Sequence, residues 1–215
     1  MSESDRSISA RAIGAALPDL CMGAVFLTAW LAPARLPAHA IAPLTLVMLL
    51  EFIVVHSGGF AGFVILGPLA PDRKVGALIG LGCFYTLFVG SFALAFHTWW
   101  PLASFWALML NRMLSVLLGQ AQTGDERAML QRGWAAGVIF YLAFTFVTII
   151  LPVPRFGLTP EVVSAQRLAG SGLWIDMPWR VMAFGFLYFT ATGLSELVEH
   201  RWLGNSAQIP MSKAA

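Results

Sequence analysis

Six apolar runs, each near or above the length that crosses a bilayer, leave this chain few ways to fold. They cover about 12–32, 40–66, 75–96, 101–118, 133–151 and 181–198. Some twenty apolar residues in helical form match a hydrocarbon layer of roughly 30 Å. Inside that layer each backbone N–H and C=O must be satisfied within its own segment, and runs without alternating polarity manage this only as helices. The expected fold is therefore an all-α, polytopic integral membrane bundle of about six transmembrane helices. It forms one membrane domain over 1–215, with an outer loop over 152–180. The missing alternation excludes a β-barrel. Charged residues make up 11% of the chain, against roughly a quarter in a soluble domain, so the charge that would solvate a globular surface is absent. The first partner is the lipid bilayer. In the second run, extra length and the Ser57-Gly58-Gly59 stretch point to a tilt, a kink or a break.

Ala38-His39-Ala40 imitates a signal-peptidase site. The length of the first run, and Arg35 with two prolines ahead of that site, argue for retention instead. Orientation follows from the lysines and arginines. Arg6, Arg11, Arg73, Lys74, Arg127, Arg132, Arg201 and Lys213 collect on one side of a six-span topology, whereas the other side has Arg35 in its first loop and Arg155, Arg167 and Arg180 spread over the long loop. Short loops carry the orienting signal, so the chain is expected in the cytoplasmic (inner) membrane with both termini cytoplasmic. Trp99, Trp100, Trp174 and Trp179 then fall near the outer interface and Trp134 and Trp202 near the inner one, as an aromatic belt.

Ionisable residues within such runs are costly unless they face a partner or a water-filled cavity. Glu51 and Arg112 each lie about eleven residues into spans two and four, both of which run inward. One acid and one base at matching depth predict a buried ion pair near the midplane. His56, Ser115 and Glu196 lie deeper by about a turn, with Asn111 beside Arg112 on span four. These residues predict a polar pocket between spans two, four and six that opens inward, its binding or relay groups being Glu51, His56, Asn111, Arg112, Ser115 and Glu196. Glu199 and His200, next to Arg201, are expected at the inner boundary. On the outer side, His39 and His97 are the only candidate metal ligands, and two histidines are too few for a structural zinc site.

No phosphate-cradling glycine loop, zinc helix, serine elbow or di-iron Glu-x-x-His pair is present, so no motif implies a cofactor and an enzyme is disfavoured. The small net charge of +2, without a basic patch, excludes nucleic acid as a partner. Cys21 and Cys83 read as buried small hydrophobes. Gly58/Gly62, Gly76/Gly80 and Gly133/Gly137 have the spacing that lets helices approach closely, within the bundle or in a homo-oligomer. Thr159-Pro160-Glu161 starts a short helix in the outer loop, which forms either a cap or a lid. Three functions follow: transport of a proton or small solute; a structural, assembly or sensory role in a larger membrane complex; and chemistry on a lipid-soluble substrate. No repeat relates the two halves, which counts against a carrier built from repeats.

Overall fold

The computed structural model describes residues 9–119, 124–168 and 170–204, apart from the side chains at 125 and 126. The basic residues Arg6 and Lys213, used above for orientation, lie outside them. Among the described residues eight α-helices follow one another: α1 (Ala10–Leu31), α2 (Ile41–Leu66), α3 (Pro71–Ala95), α4 (Trp100–Leu117), α5 (Gly124–Ile150), α6 (Pro160–Ala165), α7 (Leu173–Asp176) and α8 (Pro178–Leu197). No strand occurs among the described residues. Local chemistry sets several of the starts. The Ser9 hydroxyl accepts from the Ala12 N–H and caps α1. Proline stands in the first turn of α3, α4, α6 and α8, where its missing N–H is no loss.

Four helices are long and apolar enough to cross a membrane: α1, α2, α3 and the Arg127–Ile150 part of α5. α4 is shorter and carries Asn111 and Arg112, while α8 is more polar but is the most enclosed helix, packed on α1, α5 and α2. A helix whose neighbours are protein is released from the need to be apolar all round. α2 is uninterrupted through Ser57, Gly58 and Gly59. Those glycines do not break it: they admit the Arg112 guanidinium and the Trp134 indole close to its backbone.

The buried side chains form two clusters. Phe26, Ile41, Met48, Tyr141, Phe184 and Tyr188 unite α1, the N-terminal half of α2, α5 and α8. Ile53, Ala61, Leu78, Tyr85, Phe105 and Met109 unite the rest of α2 with α3 and α4. α2 thus belongs to both cores. The most extensive helix pair is α1 with α8. At Gly23 a β-carbon would stand 2.7 Å from Thr190 Oγ1, at Gly193 it would stand 2.8 Å from the Leu20 side chain, and at Gly185 it would run into the Phe26 ring. Of the glycines expected to mediate contact, Gly62, Gly76 and Gly80 have nothing near their α-carbons, whereas Gly58, Gly133 and Gly137 meet neighbours. Spacing alone did not identify the α1–α8 seam, because its glycines are spread over two helices distant in sequence.

Two further expectations are corrected. Cys21 and Cys83 are free and exposed, not buried; the outer face of a membrane bundle is itself apolar and accepts a thiol. Trp179 is buried beneath Arg155, whose guanidinium carbon lies 4.4 Å from the ring centroid, and so is not a belt residue. The segment between α5 and α8 packs onto the bundle: Trp30 Nε1 donates to the Pro154 carbonyl, Gly157 N–H to the Trp30 carbonyl, and Leu158 is fully buried. Thr159 caps α6 through the Val162 N–H, as its sequence predicted.

Beyond the C-terminal end of α8, Glu199 and His200 both adopt the left-handed conformation and turn the chain back. His200 is buried, with Nδ1 2.7 Å from Ser195 Oγ, which also accepts from Trp202 Nε1. Burial, and secondarily the Arg132 charge, hold the imidazole below its ordinary value of 6.5. The folded turn therefore favours neutral His200, and its contribution is present above pH 6.5 and lost as pH falls below it. Hydrogen exchange across 196–204, corrected for intrinsic rates, should accelerate between pH 7 and 5. In His200→Gln that extra pH dependence should vanish.

Candidate functional site

Glu51 sits midway along α2 on the face turned to α8, where Tyr188 donates its hydroxyl proton to Glu51 Oε1 at 2.6 Å. Tyr188 is buried and stacks edge-on with Tyr141, whose own hydroxyl donates to the Met48 carbonyl one turn outward. Asp19, from α1, lies within electrostatic reach of Glu51, Tyr188 and Glu196. Along α8, Tyr188, Thr192 and Glu196 stand at i, i+4 and i+8, so they share one face at steps of about 6 Å. Thr192 Oγ1 and Glu196 Oε2 are buried without a hydrogen-bond partner. Three carboxyl groups and two tyrosine hydroxyls thus gather around α8.

The expected Glu51–Arg112 pair does not form. Among the described residues the one ion pair is the exposed Arg201–Glu199 contact at 3.1 Å. Arg112 points at α2, but its guanidinium lies beside Gly58, seven residues inward of Glu51 and roughly 10 Å along the axis. Depth counted from helix starts assumed that the starts are level. α2 has 26 residues and α4 only 18, and Arg112, the thirteenth residue of α4, meets Gly58, the eighteenth of α2. Among the described residues the Arg112 guanidinium hydrogen-bonds to Met109 Sδ alone, at 3.7 Å.

Other members of the expected pocket also separate. Ser115 donates to the Arg112 carbonyl of its own helix, and Asn111 is exposed. His56 is exposed on the α3 side of α2, bonded to Tyr85, and so faces away from Glu51. Of the six candidates the structure brings Glu51 and Glu196 into one cluster and leaves Arg112, Ser115, Asn111 and His56 outside it. The helices that build the cluster are α1, α2, α5 and α8, and α4 takes no part. His39 and His97 occupy separate turns in the left-handed conformation, and no group of three metal-ligating side chains forms among the described residues.

Sequence reasoning missed Asp19, Tyr188 and Thr192. Asp19 met the same criterion as Glu51, an acid inside an apolar run. The spacing of Tyr188 and Thr192 to Glu196 was also readable, once α8 was known to be enclosed by protein. No family model, characterised protein or solved structure matches the chain.

Proposed function

We propose that this is a six-helix protein of the cytoplasmic membrane, with both termini inside, that moves protons along the column Glu51–Tyr188–Thr192–Glu196 assisted by Asp19. The carrying observation is the 2.6 Å Tyr188–Glu51 hydrogen bond inside a cluster of acids that has no cation paired to it among the described residues. Carboxyl groups that feel one another in a low-dielectric interior share protons instead of holding several charges. A tyrosine hydroxyl can accept a proton on one side and donate on the other, which joins acids too far apart to bond directly. Acids in this setting, on the interior face of a bundle, are the usual elements of proton relays.

The test is proton flux into liposomes holding the full chain, read by an enclosed pH-sensitive dye under an imposed potential. Flux above that of empty liposomes is expected, and Glu51→Gln should reduce it at least tenfold, as the loss of a positioned proton-transfer group does. Wild-type flux equal to that of empty liposomes, or full flux in Glu51→Gln, would sink the proposal.

A second reading, that the cluster fastens helices in a membrane complex, draws on one observation. Trp134, Tyr141 and Tyr188 all hydrogen-bond from α5 and α8 onto α2. Glu51→Gln separates the two. The glutamine oxygen still accepts from Tyr188, so a purely structural role survives the change while proton transfer does not.

A further inference from the structure

We infer that the lipid-facing surface formed by α2 and α3 around His56 binds a lipid-soluble quinone or quinol, with His56 Nε2 as its polar anchor. His56 lies ten residues, on the order of 15 Å, from the inner end of α2, so it is within the hydrocarbon. It is nevertheless exposed. Its Nδ1 is engaged, 2.5 Å from the Tyr85 hydroxyl, and Tyr85 is itself buried. That leaves Nε2 without a hydrogen-bond partner among the described residues, on a side chain exposed where lipid tails offer none. An unpaired polar group in that medium costs several kcal/mol, and the occupant that relieves it must carry an oxygen into the membrane core.

The surroundings specify the rest of the occupant. Phe52 stacks on the imidazole at 5.6 Å with 8° between the planes, and Phe60 meets it edge-on at 5.2 Å. Phe84 and Phe88 flank Tyr85 on α3. Phe52, Phe60, Phe84 and Phe88 are between 45% and 53% exposed. Aromatic walls around one polar group are the usual composition of a site for a flat ring. When Tyr85 donates to Nδ1, Nε2 bears the proton and suits a quinone carbonyl. When Nδ1 donates to Tyr85, Nε2 offers its lone pair and suits a quinol hydroxyl. One surface therefore holds either redox form, and the direction of the Tyr85 contact sets whether Nε2 donates or accepts.

The probe is a decyl benzoquinone carrying a photoactivatable azide, applied to the full chain in lipid nanodiscs, with competition by unlabelled decyl benzoquinone. Saturable labelling is expected on peptides of α2 and α3. Half-saturation should rise about tenfold in His56→Leu, as the loss of one buried hydrogen bond implies. It should rise several-fold in Tyr85→Phe. His56→Gln, which keeps a donor, should retain part of the affinity and carries the test where His56→Leu fails to fold. Glu51→Gln should label as wild type, so this surface and the proton column stand or fall separately. Labelling that is unsaturable, that maps elsewhere, or that survives His56→Leu overturns the assignment. So does a dimer cross-linked through Phe60→Cys that excludes the probe, which would give this face to a second copy of the chain.

Discussion

Gly185→Val is expected to separate α1 from α8 and to shift the folding equilibrium by about 3 kcal/mol or more, near the top of the range for overpacking a core. The Phe26 ring rests where a side chain at residue 185 would begin, and Phe26 is fully buried among α1 and α8 residues. Nor can the ring simply rotate away, because it stacks on Phe189 at 5.5 Å, one turn along the same helix. Valine adds its branch at the very carbon that collides. Gly76→Ala supplies the contrast. Nothing approaches that position, so alanine should be neutral or stabilise α3 by up to about 1 kcal/mol through helix propensity. Tryptophan fluorescence during SDS titration in mixed micelles measures both. A Gly185→Val midpoint equal to that of wild type would show that the seam does not hold the bundle.

A loss of similar size, about 3 kcal/mol, is expected for Arg180→Met, through a different mechanism. Arg180 stands in the first turn of α8, and its Nη1 donates to the Thr148 and Ile149 carbonyls at 2.5 and 2.7 Å. Those carbonyls belong to the last turn of α5, where no further residue of the helix reaches them. A cation there also complements the negative end of the helix dipole. Methionine keeps the apolar stem but leaves both oxygens without their donor. The same SDS titration reads the change, and accelerated hydrogen exchange confined to the outer end of α5 would place the loss at this contact. A variant as stable as wild type with an unchanged exchange pattern would show that the cap contributes nothing.

The helices were legible because each is long enough to need its own apolar run. α2 is the clearest instance: a run from about 40 to 66 became a helix from Ile41 to Leu66. Pairing of helices was not legible. Nothing in residues 12–32 announces that Phe26 will cover Gly185, since shape complementarity between distant segments leaves no local pattern. The same gap explains the candidate site. Glu51 and Glu196 were visible as misplaced charges, but whether Glu51 meets Arg112 required knowing how far α4 slides against α2. Spacing within a helix proved more informative than depth between helices. Tyr188, Thr192 and Glu196 share a face on grounds of periodicity alone.

The α1–α8 seam bears on how the chain is made. Roughly 150 residues separate the end of α1 from the start of α8, a gap of on the order of ten seconds during synthesis. Through that interval α1 sits in the membrane without its principal neighbour, and Asp19 without the cluster that will surround it. α2, α3 and α4 can settle onto one another meanwhile, because Ile53, Leu78, Tyr85 and Phe105 already form a core of their own. Assembly therefore joins early to late: α8 completes α1, and a chain halted before residue 178 leaves α1 without its principal neighbour.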